Sequence, residues 1–488
     1  GCGIRRDTDR AYQLHDVDQQ ALATPATKGT FLPMEGDEIY PSIRAACRLA
    51  RTGAPGPVFV EVPANLYLAR HEVELPEPEG GEGRESRAGL PGATANVDPG
   101  AVERTVELLR ASSRPFVYVG AGAAAAGDRV LALAERLEAP VATTFQGKGV
   151  FPETHPLFLW PGFGDAAPPF ARKVARRRDL TLAVGCRFGE VGTGSWGLEP
   201  PGALVHVDLD PGVPGRNFPA EVAVTADSGA FLDALLRRLE EKGLRRKRDD
   251  LLREEIRDGH LEVWEEWAEA ASRTGVSPPY LLRTCQEVFG PETVFTADSG
   301  NGTFLAVECL RLEAPGRFLA PVDYSCMGYA VPAALGARLA RAEAPVVALA
   351  GDGAFLMTGL ELLTAVRERL AVAVLVLRDR ELAQIAQFQE TALARKVGSR
   401  VPDYDLEALA RGLGVEFLAM GGDDEVEEVL ERAREVTSGG RPVLVDVAVD
   451  YSGRTFFTRG VVRTAFARLP LKDQARFVGR AVVRRLTE

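Results

Sequence analysis

The stretch "VVALAGDGAFLMTGLELLTAVRERLAVAVLVLRDRELAQI", Val346 to Ile385, sets two continuous apolar runs around a Gly-Asp-Gly and a helical segment. Val346–Ala350 has no polar alternation, so it reads as a strand buried on both faces, the habit of parallel sheets. Gly351-Asp352-Gly353 follows directly. Phe355, Leu356, Leu360, Leu363 and Val366 then fall at helical spacing up to about Glu368. Val372–Leu377 is a second buried strand and ends at Arg378-Asp379. A strand, a glycine turn and a helix place unpaired N–H groups and a helix N-terminus at the carboxyl edge of the sheet. Anions, phosphates above all, are stabilised there, and open α/β sheets bind their ligands at that edge. A carboxylate at that point would repel a phosphate unless a cation stood between them, so Asp352 predicts a hard divalent ion, Mg²⁺ or Ca²⁺. Asp379 lies 27 residues further on, the length of one helix and one strand, which returns the chain to the same edge. One ion can then bridge both carboxylates to a diphosphate.

The same alternation extends in both directions. The chain of 488 residues is too long for one core. Apolar runs at "PGPVFVEVP", "RPFVYVG", "APVATTF", "LTLAVGCRF", "ALVHVDLDP", "ETVFTAD" and "RPVLVDVAV" alternate with helical patterns, which predicts parallel sheets. The fold class is therefore α/β, with three doubly wound parallel-sheet domains, the first incomplete and the central one Rossmann-like. Residues 1–73 form the first block, and 74–97 a linker rich in Pro, Gly and Glu. The central domain covers 98–239, a charged helical linker 240–276, the third domain 277–453 and a basic tail 454–488. That tail holds nine Lys/Arg against two Asp/Glu, a net +7, which leaves −18 on the rest of a chain whose total is −11. It is expected to pack back on the acidic body.

The acidic balance argues against nucleic acid as a partner. The apolar runs are too short to span a membrane. Six cysteines without CxxC or zinc-like spacing read as reduced thiols, hence a cytoplasmic protein. The five histidines lie far apart in sequence, with structural roles expected for each. "VGAGAAAAG", Val119–Gly127, has the form of a dinucleotide loop, but no acidic residue ends the following strand "APVATTF".

With these residues in view, the chain resembles thiamine diphosphate-dependent enzymes of the acetolactate synthase type. Their diphosphate motif is Gly-Asp-Gly, a helix, a strand and Asn-Asn; here Arg378-Asp379 stands in the last place. The resemblance implies Mg²⁺ on Asp352, Asp379 and the backbone carbonyl of Glu381, with the cofactor on Gly351, Asp352, Gly353 and Ala354. "APVDYSCMGYAVPAALGA" is similar to the segment that supports the thiazolium. Met327 would bend the cofactor, and the Ser325 carbonyl would accept from its pyrimidine amino group. "FTADSGNGTF" is similar to a segment near the diphosphate, with Asn301 as a contact. "TTFQGKGVFPETHP" and "GCRFGEVGTG" resemble the central domain, where Arg187 matches an FAD-contacting arginine; FAD is left open, since other branches lack it. "ELAQIAQFQE" resembles the substrate-facing helix, with Gln384 and Phe388 in place of the usual Met and Trp.

The resemblance implies decarboxylation of a 2-oxo acid with carboligation to a second carbonyl, in a homodimer or homotetramer. Simple 2-oxo acid decarboxylation or 2-hydroxyacyl-CoA lysis is the alternative, and a non-catalytic cofactor-binding subunit the alternative of another class. It further implies that residues 1–73 match only the second half of a pyrimidine-binding domain. The half with the glutamate that activates the cofactor has no counterpart here, so no catalytic side chain is identified and these 488 residues alone are expected to be inactive.

Overall fold

Every apolar run named above becomes a strand in the computed structural model, and all strand pairs of its three sheets are parallel. The structure describes residues 3–8, 10–72, 97–162, 164–197, 199–269, 275–393, 395–474, 476 and 479. The linker expected at 74–97 lies outside them except for residue 97, as does the end of the basic tail.

The first sheet is β1 (Thr30–Phe31) beside β2 (Phe59–Val60), with the helix Ile39–Arg51. The central sheet holds β3 (Pro115–Val119), β4 (Val141–Thr143), β5 (Phe158–Pro161), β6 (Leu180–Val184), β7 (Ala203–Asp208) and β8 (Val222–Thr225). Their order is β5-β4-β3-β6-β7-β8, the arrangement of doubly wound dinucleotide folds, with its reversal between β3 and β6. All residues of β3 and β6 are buried, as helices on both faces require, and only the edge strand β8 alternates.

The third sheet holds β9 (Val294–Ala297), β10 (Phe318–Leu319), β11 (Val346–Gly351), β12 (Ala373–Leu377), β13 (Glu416–Met420) and β14 (Val443–Val447), in the order β10-β9-β11-β12-β14-β13. Its reversal lies between β9 and β11. Strands β1, β5, β8, β10 and β13 carry no signal strong enough to read from sequence; they are short or sit at an edge where packing, rather than a long apolar run, defines them.

Two elements differ from the sequence reading. The helix expected over Phe355–Glu368 starts earlier, at Asp352, and splits into Asp352–Thr358 and Leu362–Glu368 around a single 3₁₀ turn. The charged segment expected as one solvated helix begins only at Asp250 and runs to Glu269. The preceding coil is held because Arg246 donates to the Leu109, Ser112 and Ser113 carbonyls. Leu252, Ile256, Val263 and Trp267 bury one face of the helix.

The two large sheets are tied together through the helix Asn301–Cys309. Lys148, from the central domain, donates to Glu153 (2.6 Å) and to the Val307 and Leu310 carbonyls (2.9 and 2.8 Å) at the C-terminal end of that helix. Glu308 accepts from the Phe456 and Phe457 amides (3.1 and 3.0 Å) and so caps the helix Phe456–Arg468. That helix docks on the central domain, where Thr464 donates to Asp165 and to the Gly194 carbonyl.

Candidate functional site

The crevice of a doubly wound sheet opens at the carboxyl ends of the strands flanking its reversal. In the third sheet these are β9 and β11. Asp298 follows β9 directly, and Asn301, buried, opens the next helix. Gly351 ends β11 and pairs in register with Leu377, which brings Asp352 beside Arg378-Asp379 at the end of β12.

Asp352 is 2% exposed; it accepts from the Gly353 amide (2.7 Å) and from the Arg380 amide (2.8 Å). Arg380 lies in the left-handed region (φ 61°), which doubles the chain back so that its N–H reaches Asp352. Asp379 accepts from the Glu381 amide (3.3 Å). Burial raises the Asp352 carboxyl above its usual range. Burial, then the charges of Asp352 and Glu381, pushes Asp379 up to about 7. The basic neighbours form their ion pairs elsewhere, and the Arg378 charge only partly offsets the effect of burial on Asp352. Arg378 grips the Asp446 carboxylate and the Tyr404 carbonyl, Arg380 reaches Asp403 (3.3 Å), and Lys396 pairs with the Glu381 side chain (2.8 Å).

Two hard carboxylates, Asp352 buried and Asp379 half-buried, with no side-chain cation between them are a donor set for a divalent ion. Among the described residues no group of three or more His, Cys, Asp or Glu side chains is placed to hold a metal. An ion here would take two carboxylates and complete its shell from main-chain and ligand oxygens.

The predicted thiazolium segment lies across the reversal. Ser325 adopts a left-handed conformation (φ 56°), and its hydroxyl meets that of Ser299 (2.7 Å). Met327 is half-buried, its Cε 3.5 Å from where a β-carbon on Gly353 would stand. Two buried polar atoms flank this segment without a partner, Asp298 Oδ2 and Thr358 Oγ1. Gln384 and Phe388 are half-buried on the helix Ala383–Leu393, whose Gln387 donates to the Tyr451 carbonyl (3.1 Å).

The fold thus brings Gly351, Asp352, Gly353, Ala354, Asp379, Glu381 and Met327 to one edge, with Ser325 on a loop and Asn301 at the start of a helix beside it. Arg187 is elsewhere: it follows β6 of the central sheet and is exposed, near Asp208. At that sheet's reversal the Gly120 and Gly122 amides are spent on the Val184 and Gly185 carbonyls (both 3.0 Å), and a 3₁₀ segment, Ala121–Ala126, follows β3. The amides and α-helix N-terminus of a dinucleotide loop are therefore not presented there.

Sequence reasoning missed Asp298, Asp446, Tyr404 and Tyr451. Asp298 carries the same strand-then-carboxylate signal as Asp352. Asp446 interrupts the buried run "RPVLVDVAV", and a charge there needs a partner. Tyr451, whose hydroxyl is pushed up by burial and by Asp379 and Asp352, has no local signal. Two clefts of about 970 and 650 Å³ run along the helix Asp250–Glu269; neither is lined by Asp352, Asp379 or Met327.

Two family models match this chain: thiamine pyrophosphate enzyme, central domain, over residues 102–235, and thiamine pyrophosphate enzyme, C-terminal TPP binding domain, over residues 298–447. Curated relatives include an acetolactate synthase of Mycobacterium leprae, 30% identical over 467 residues that cover 90% of this chain and 70% of that protein. A probable acetolactate synthase large subunit of Methanocaldococcus jannaschii is 28% identical (89% and 73% covered). Acetolactate synthase isozyme 3 large subunit of Escherichia coli is also 28% identical (90% and 77%).

Proposed function

Because the chain belongs to the acetolactate synthase family of thiamine diphosphate-dependent enzymes, we propose that it decarboxylates a 2-oxo acid and joins the remaining acyl unit to a second carbonyl. The observation that carries this reading is the pair at the carboxyl edge, Asp352 buried and Asp379 half-buried, with the nearby basic side chains paired to other carboxylates. When bound, thiamine diphosphate supplies the carbon centre that takes up the electron pair released with CO₂.

The chain's own groups bind and orient. Asp352, Asp379 and the Glu381 carbonyl would hold Mg²⁺. Gly351–Ala354 and Asn301 would line the diphosphate, Met327 and the Ser325 carbonyl the rest of the cofactor, and Gln384 and Phe388 the acceptor. The test is calorimetry of thiamine diphosphate with and without Mg²⁺, followed by product analysis with pyruvate. Carboligation products support the reading; CO₂ and aldehyde alone would place the protein with simple decarboxylases.

Flavin stays an open part of the cofactor reading: Arg187 is an exposed cation at the central edge, where the Gly120 and Gly122 amides are spent on carbonyls. The absorbance and fluorescence of the purified protein decide it.

A homodimer or homotetramer is supported by the segment that follows Asp352. Leu356, Met357, Leu360 and Leu363 are all at least half exposed, Leu360 at 64%, and form one apolar face. Leu360→Glu should shift the sedimentation of the protein toward monomer.

A further inference from the structure

Three polar side chains at the end of β9, Thr296, Asp298 and Ser299, hold the segment from Ser325 to Ala330. Thr296 donates to the Ala330 carbonyl (2.8 Å). Asp298 Oδ1 accepts from the Tyr329 amide (2.6 Å), and the Gly328 and Ala330 amides face the same carboxylate. Ser299 meets the Ser325 hydroxyl (2.7 Å). Asp298 is buried, with its second oxygen unpartnered, and Ser325 is held in a conformation that side chains adopt only when their surroundings impose it. None of these groups touches Asp352 or Asp379 through a hydrogen bond the structure records. They act on the loop that carries Met327.

We propose that Asp298, aided by Thr296 and Ser299, is a positioning residue that sets the Ser325–Ala330 segment to receive the ring portion of thiamine diphosphate, while Asp352 and Asp379 serve the diphosphate end. The inference rests on the cofactor reading above and adds a division of labour within it. Losing Asp298 should loosen the ring-binding segment and leave the metal–diphosphate end intact.

Calorimetry with two probes, Mg²⁺–thiamine diphosphate and Mg²⁺–inorganic diphosphate, tests this on the same protein. In Asp298→Ala, thiamine diphosphate should bind about 10- to 100-fold more weakly, the usual effect of losing hydrogen bonds to a buried charge. Inorganic diphosphate should stay within about twofold, because the side-chain hydrogen bonds of Asp298 go to the Tyr329 segment and those of Asp352 and Asp379 to their own loops, with no shared partner. Asp298→Asn keeps an oxygen for the Tyr329 amide and should hold both affinities within about threefold. Without any ligand, amide hydrogen exchange at Gly328–Ala330 should speed up in the Ala variant and not in the Asn variant.

Equal weakening for both probes, or for neither, overturns the proposal. If Asp298→Ala does not fold, Thr296→Val decides by the same split, with about a threefold loss expected for thiamine diphosphate alone. A parent chain that binds neither probe removes the cofactor reading itself and is seen before any variant is compared. A parent that binds both, with variants that show no split, removes only the role given to Asp298.

Discussion

At the reversal of the central sheet, between β3 and β6, the loops lie against each other. A β-carbon on Gly185 would come 2.5 Å from the Gly122 carbonyl carbon, and one on Gly147 would come 3.0 Å from Gly120. At the reversal of the third sheet, between β9 and β11, a β-carbon on Gly300 or Gly351 would meet nothing within 4 Å. Both sheets are six-stranded, parallel and doubly wound. In one, glycine lets two backbones close on each other; in the other it leaves room, and carboxylates fill the loop positions beside that room. The architecture offers a crevice twice, and loop composition decides what each crevice presents.

The sharpest way to break this comparison is Asp352→Ala. Mg²⁺-dependent thiamine diphosphate binding should fall by about 100-fold or more, since a directly coordinating group matters more than the outer-shell groups whose loss costs 10- to 100-fold. Unchanged affinity by calorimetry would show that the open edge is not the metal site.

Lys148→Ala attacks the tie between the two sheets. It leaves the Glu153 charge buried without its cation, with only the Leu312 amide (3.0 Å) on Oε2 and no partner on Oε1. Removing one member of such a pair destabilises by about 3–5 kcal/mol. Urea unfolding should show this, and an apolar pair such as Lys148→Met with Glu153→Leu should recover most of it.

Glu308 gives the same junction a pH dependence. Burial raises its carboxyl from the ordinary 4.5 to about 7 against the two amides that favour the charge. The folded state then holds a proton that the unfolded state has released. Stability should therefore fall as pH rises from about 4.5 through 7, by at most about 3 kcal/mol at 1.36 kcal/mol per unit. In Glu308→Gln that slope should disappear from the pH series of unfolding curves.

Gly185→Ala tests the closed edge. Its φ of +60° and its close backbone neighbours should cost about 2 kcal/mol of stability. Metal–diphosphate affinity at the other sheet should hold within about twofold. Loss of that affinity would mean that the two edges are coupled.

The smallest effect is expected for Asp379→Asn. Both side chains offer a hard oxygen, so Mg²⁺ affinity should fall by no more than about tenfold. Complete loss would show that the charge of Asp379, and not its oxygen, is what the site requires.

Much of the site was legible because its signals are local. The apolar run Val346–Ala350, the turn Gly351-Asp352-Gly353 and the 27-residue return to Asp379 fix a strand, a helix and a second strand. Any right-handed parallel crossover of that length brings both carboxylates to one edge. The parallel pairing of the sheets follows from the same alternation, whereas the order of their strands was set by the tertiary structure. The exposed stripe Leu356, Leu360 and Leu363 was also visible as spacing. Spacing reports which residues share a face, however, and not whether this chain or another covers it.

Only the tertiary structure decided which charges are spent. Arg378 stands next to Asp379 in sequence, yet it turns to Asp446, 68 residues away, and forms its ion pairs there and with Asp403 rather than with Asp352 or Asp379. Lys148 finds its acceptors at Val307 and Leu310, 159 and 162 residues away. Asp298 holds a loop 31 residues downstream. Hydrogen bonds and ion pairs act over about 3 Å, so their partners are set by where the sheet register and loop conformations place each group, and nothing in the neighbouring sequence specifies that.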